Sequence, residues 1–347
     1  MNSKSGSPTA ALSLFARVTV AAALIASSAG YADASPHSFV RSTVAGSHGF
    51  HPAICTPRVW ASDLAGQVVS GYLAAGSAPC ITLNGATSGL AFYAPFGLAT
   101  DHLGNLYVAD VNNSRVVVFT KHGGYVATLY MAAGEQPYSV CVSKHGVVGV
   151  VDRPSGSSGT GDVEFFTNYT FSAMTGSASG VLNTFEWCAF DGAGNFFADG
   201  SINYNNGGQK IVYLKKAYVN LPAQTVVDSG LGTGTYWSGM YVEEGFTNSL
   251  SVGGNYEIQN FAIAGGVPGG IPTITALAGY PVGSDPFYQA APSKGAAAAA
   301  TIYIADYGNS TINEAPVGGA GRPGGAVTTY NPLSATVGVA TYPTGQY

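Results

Sequence analysis

The strongest constraint on this chain is a phrase that recurs along it and is split between its two ends. Residues 95–119 read PFGLATDHLGNLYVADVNNSRVVVF. The second half returns at Thr301–Ile312 as TIYIADYGNSTI, and near the start at Val59–Val69 as VWASDLAGQVV. The first half returns at Val337–Gln346 as VGVATYPTGQ. A repeat that opens in its middle and closes in its middle suits a ring joined through the two chain ends.

Starts of successive units fall near Gly97, Ser139, Trp187, Gly239, Gln289 and Gly338. A period of about 40–50 residues with several short strands per unit is the sequence pattern of a β-propeller. Helical solenoids are excluded, because no long 3.6-residue periodicity is present. In the clearest unit, Gly97–Thr100 is a strand of small side chains, suited to the crowded axis. Asp101–Asn105 is a turn, with Gly104 free to take positive φ. Leu106–Ala109, Val116–Phe119 and Tyr125–Tyr130 are the next three strands. The sixth unit is split: Val337–Thr341 supplies its innermost strand, and Val59–Ser62, Gln67–Tyr72 and Cys80–Leu83 the rest. The expected fold is therefore all-β, with six four-stranded antiparallel blades. The C-terminal strand pairs with the N-terminal blade, which removes exposed sheet edges.

These residues resemble the NHL-repeat family of β-propellers. The resemblance is carried by Pro95-x-Gly97-Leu98-Ala99, by Gly104-Asn105-Leu106-Tyr107-Val108-Ala109-Asp110, by Asn113-x-Arg115-Val116, and by Asp306-Tyr307-Gly308-Asn309. It covers residues 57–347 as one domain, preceded by a loose leader at 35–56.

Composition narrows the partners. Charged residues are 9% of the chain, against ~25% in typical soluble domains. The formal net charge is -5, and no basic patch is visible, so a grip on nucleic-acid phosphates is not expected. The 48 glycines and 21 tyrosines point to a turn-rich protein that makes contact by stacking and hydrogen bonding.

Residues 1–34 read as an export signal. Lys4 and Arg17 are its positive charges, Val18–Ala29 its apolar core, and Ala32-Asp33-Ala34 a cleavage pattern before Ser35. The apolar run is short for a membrane span, although an uncleaved anchor is the alternative. The protein is expected to be secreted, extracellular or periplasmic, with no membrane span after signal removal. Export permits disulfides. Cys55, Cys80, Cys141 and Cys188 allow three pairings. Cys55 and Cys80 flank the first partial repeat; Cys141 and Cys188 occupy similar places in successive repeats.

Each recurring aspartate, at 63, 110, 152, 199 and 306, stands at a strand end. They read as acceptors for the amides of the turn that follows. Aromatic residues precede most innermost strands: Phe96, Tyr138, Trp187, Tyr236, Trp237 and Tyr288. These six are the candidate ligand-binding residues. They either line one mouth of the channel, where rings can stack on a sugar or a peptide, or turn sideways between blades.

Propellers that resemble this one include metal-dependent lyases and lactonases. That resemblance makes Glu186 a weak catalytic candidate, and Glu186 with Asp285 weak candidate ligands for one divalent cation such as calcium or zinc. His102 and His145 fall in turns at the opposite mouth and His122 in an outer hairpin, so no histidine cluster is expected. The expected role is non-catalytic binding, without a cofactor, of a glycan, peptide or protein. A metal-dependent lyase or lactonase is the alternative, and a purely structural surface protein the third.

Overall fold

The computed structural model describes residues 39–40, 55–131, 134–154, 161–167, 173–179, 182–203, 207–217, 225–228, 238–243, 249–254, 257–264, 267–276, 290–292, 301–316, 328–330 and 334–342. The chain divides into Met1–Ala34 and Ser35–Tyr347. The expected export signal lies outside the described residues.

The described strands form six antiparallel sheets. The first blade consists of Pro95–Thr100, Leu106–Asp110, Arg115–Phe119 and Tyr125–Tyr130. The second consists of Glu135–Val142, Val147–Pro154, Asp162–Thr167 and Ala173–Ser179. The third runs from Thr184–Phe190 through Phe196–Asn203 and Gly207–Leu214 to Thr225–Asp228. The fourth comprises Ser238–Glu243, Ser249–Gly254, Glu257–Ala264 and Val267–Ala276. The fifth comprises Ala290–Pro292, Thr301–Asp306, Thr311–Pro316 and Thr328–Tyr330. In the sixth, Thr336–Thr341 pairs with Val59–Asp63, followed by Val68–Tyr72 and Ile81–Leu83.

Each innermost strand touches the innermost strands of the blades on either side, all the way round. The chain is a six-bladed β-propeller closed by its C-terminal strand. The closure is tied by more than the ladder. Thr100 Oγ1 donates to the Thr341 carbonyl at 2.5 Å, and the Tyr342 N–H to the Arg58 carbonyl at 3.0 Å.

The core lies between blades, and the period of two in a strand explains how. Leu106 and Val108 face the sixth blade, joining Trp60, Leu83 and Ala340. Tyr107, on the other face, joins Val140, Val142 and Val150 of the second blade. A propeller strand buries both faces, so its sequence is an unbroken apolar run. Glycine serves crowding at the axis. A Cβ on Gly97 would lie 2.7 Å from the Ser139 Cα, and one on Gly338 would lie 2.1 Å from the Phe96 carbonyl oxygen.

Three innermost strands start earlier than the sequence suggests, at Pro95, Glu135 and Thr184. The ladder shifts register between Pro95 and Leu98, opposite Val151 and Asp152, and between Phe185 and Cys188. These β-bulges absorb extra residues, and pairing resumes beyond them. Phe39–Val40, in the segment expected to be a loose leader, pairs with Leu129 and Thr128 as a fifth strand on the first blade.

Both disulfides are formed. Cys55–Cys80 ties the incoming chain to the sixth blade, and Cys141–Cys188 joins the innermost strands of the second and third blades. Two disulfides point to an oxidising compartment. Among the described residues no helix is long and apolar enough to cross a membrane.

Candidate functional site

The bulges recur at one level of the innermost strands, and there they re-aim side chains. Phe96, Tyr138 and Trp187 occupy the bulges of three successive blades. Their rings come together: Phe96 and Tyr138 are 4.7 Å apart between centroids, and Phe96 and Trp187 5.6 Å. Val337, at the bulge of the sixth blade, joins the same cluster, as do Leu64 and Tyr307 from turns of the sixth and fifth blades. The register shift of the fourth blade falls at Gly239, which has no side chain to contribute.

Exposure separates these rings. Phe96 is 7% exposed and Trp187 1%, so both belong to the interior of the cluster. Tyr138 is partly exposed, as is Tyr307 of the same cluster, so a ligand can reach its ring. Tyr236, Trp237, Tyr288 and Asp285 lie outside the described residues.

Arg153 covers this group. Its guanidinium carbon lies 4.0 Å from the Tyr138 ring centroid, and its Nη1 donates to Tyr138 Oη at 3.1 Å. Its Nη2 donates to Glu186 Oε1. Glu186, the residue expected as a catalytic and metal-binding candidate, is buried at 3% exposure with its Oε1 in that ion pair. Sequence reading did not single out Arg153. The signal that could have found it is a lone arginine directly after the repeat aspartate.

The five recurring aspartates are buried, each 3% exposed or less. Asp306 accepts the Asn309 N–H at 3.0 Å, and Asp63 the Gly66 N–H at 2.8 Å, so both hold the turn that follows. Asp110 accepts the Tyr93 N–H at 2.7 Å, from the segment leading into the innermost strand, as well as Asn113 Nδ2 at 2.8 Å from the turn that follows, and Asp199 accepts the Trp187 N–H at 2.9 Å within the innermost strand. Asp63 does both, accepting Ser334 and Ala335 as well. The expectation of turn acceptors is thus too narrow. The bulge leaves amides of the innermost strand without ladder partners, and a buried amide must find one.

The partners of these aspartates differ from blade to blade. Asp110 faces Arg115 across the ladder and is bonded by its Nε at 2.8 Å. Burial raises the Asp110 carboxyl, while Asn113, the Tyr93 N–H and Arg115 pull it back down. In the third blade the residue facing Asp199 is Ile211. In the second blade the ladder ends at the Val151–Val163 pair, and just past it Asp152 accepts the Asp162 N–H at 2.5 Å. There the carboxylates of Glu135, Asp152 and Asp162 offer oxygens within 4.8 Å of one another, a set that can hold a metal ion. Glu164, two residues beyond Asp162, adds a fourth carboxyl. Burial and mutual repulsion raise the Asp152, Asp162 and Glu164 carboxyls well above the usual range. This group was missed because it mixes a repeat aspartate with three acids from outside the repeat pattern.

His102, His122 and His145 are exposed and scattered over separate turns. His122 Nδ1 lies 3.1 Å from the Cys55 carbonyl oxygen.

The NHL repeat family matches residues 92–119, the clearest unit and the source of Phe96, Asp110 and Arg115. No curated protein sequence matches the chain. Among solved structures, the chain is similar to one in a nidogen–laminin complex, at 13% identity and TM-score 0.54, over 81% of this chain and 97% of that one. It is also similar to a protein of unknown function from Bacteroides caccae, at 8% identity and TM-score 0.53, over 81% and 97%. The hydrazine synthase of Kuenenia stuttgartiensis is similar at 11% identity and TM-score 0.50, over 74% and 72%. At such identities the likeness is one of fold.

Proposed function

We propose that this NHL-like six-bladed β-propeller is an exported, non-catalytic binding module that holds a glycan, peptide or protein partner at the channel mouth. The observation that carries this reading is the bulge-aimed stack of Trp187, Phe96 and Tyr138, which ends on a partly exposed tyrosine under Arg153. Rings fixed from behind lose little entropy when a ligand stacks on them, which favours binding. Low charge fits a partner held by stacking and hydrogen bonds. One similar propeller is found in a complex of two proteins, nidogen and laminin. Glycan and peptide arrays probed with the mature protein test the reading. A hit that weakens about tenfold in Tyr138→Ala supports it, since one lost stacking contact is worth roughly 1 kcal/mol or more. Hits of equal strength with the variant would sink it. Export is tested by N-terminal sequencing of protein recovered outside the cytoplasm; a mature chain beginning at Ser35 is expected.

A second reading, a cation-dependent lyase or lactonase, draws support from the converging oxygens of Glu135, Asp152 and Asp162. It moves the cation away from Glu186. Metal content after dialysis against metal-free buffer tests it: one tightly held divalent ion per chain favours this reading over the first.

A further inference from the structure

Asp199 is a buried acid without the partner its repeat would provide. It is 0% exposed. Its Oδ1 accepts the Trp187 N–H at 2.9 Å, and its Oδ2 has no hydrogen-bond partner. The first blade answers the equivalent aspartate with Arg115, but the third offers Ile211. Lys210 neighbours Ile211, but its register partner is Gly200, so alternation puts it on the opposite face. Among the described residues, the charged side chain that acts on Asp199 is Arg153, from the second blade, which also bridges Glu186.

Arg153 is itself incompletely used. Its two terminal nitrogens serve Tyr138 and Glu186, while its buried Nε has no partner. An uncommitted guanidinium donor and an uncommitted carboxylate oxygen thus occur around the same segment, Glu186–Trp187. A guanidinium can bind a second carboxylate through its free edge, and such charge-assisted bonds are about twice as strong as neutral ones. Burial moves the Asp199 carboxyl up to about 8, with the Trp187 N–H and Arg153 working against that rise. A protonated Asp199 leaves Arg153 to Glu186 and Tyr138.

We infer that Asp199 is a proton-dependent latch on the Trp187 segment: uncharged, it leaves Arg153 stacked on Tyr138, and ionised, it draws Arg153 away and loosens the ring stack. The consequence is a partly exposed ring, Tyr138, that changes its cover in mildly alkaline solution. The latch does not depend on whether the mouth binds anything, and it can be tested on the protein alone.

The test is tryptophan emission and acrylamide quenching of the full mature protein between pH 6 and 10. The wild type should titrate with a midpoint near the value for Asp199, about 8. Asp199→Asn, which keeps an acceptor for the Trp187 N–H, should abolish that titration. A flat wild-type profile, or the same titration in Asp199→Asn, would overturn the inference. Should Asp199→Asn fail to fold, Arg153→Lys decides. It keeps a positive charge for Glu186 but lacks the Nε donor, so the midpoint should rise by roughly 0.5 unit or more. An unchanged midpoint in that variant would overturn the inference equally.

Discussion

Just past the Val151–Val163 pair of the second blade, Asp162 donates its backbone N–H to the Asp152 carboxylate at 2.5 Å. The first blade pairs the equivalent aspartate, Asp110, with Arg115. One repeat site thus carries an ion pair in one blade and two like charges in the next. Like charges across a ladder destabilise a sheet, and burial strengthens the effect.

The pH dependence of stability should show this. Burial first, then neighbouring carboxylates, raise Asp162 to about 6, Asp152 to about 8 and Glu164 to about 9. Folded values above the unfolded ones mean that the protonated acids favour the native state. Their contribution is full below about pH 4 and is lost as pH rises through 6 to 9. The melting temperature should fall across that window. Asp162→Asn should raise Tm by roughly 2–4 °C at pH 8 and leave it unchanged at pH 4. Calorimetry at the two pH values checks this, and an equal shift at both would argue against a titrating cluster.

Arg153→Met should destabilise the protein by about 3–5 kcal/mol, because it strands the buried Glu186 carboxylate without a counter-charge. Urea denaturation measures the loss. Pairing the change with Glu186→Gln should recover most of it. A double variant as unstable as the single one would show that the arginine acts by its bulk over Tyr138 instead.

Closure of the ring rests on Thr336–Thr341 lying against both Val59–Asp63 and the first blade. Gly338→Ala sets a Cβ against the Phe96 carbonyl oxygen, which is backbone and cannot swing aside. The expected cost is about 1–3 kcal/mol. Deleting residues 337–347 should lower Tm far more, since a whole innermost strand is lost. Thermal melts of both variants make the comparison, and a wild-type Tm in the deletion would refute closure by this strand.

The Cys141–Cys188 bridge links neighbouring blades over a separation of 47 residues. Replacing both cysteines by alanine should cost about 2–4 kcal/mol, mainly by freeing the unfolded chain. Denaturation in the presence and absence of reductant reads this out. The variant should be insensitive to reductant at that bridge, whereas the wild type should weaken.

The repeat phrase by itself determined the architecture. Strand-length apolar runs, turns such as Asp101–Asn105 with Gly104 at φ +86°, and a unit divided between the chain ends permit one arrangement that leaves no edge open at the axis. These signals are local or periodic, so a sequence carries them directly. The candidate site was legible only in part. Phe96, Tyr138 and Trp187 stand out as aromatics before innermost strands, but which ring is covered and which is reachable depends on bulges and on neighbouring blades. Arg153, the Asp152–Asp162 confrontation and the solitary Asp199 were decided by tertiary structure alone. Each depends on which side chain another strand or blade sets opposite an aspartate, and that pairing is fixed by register across the sheet and around the ring.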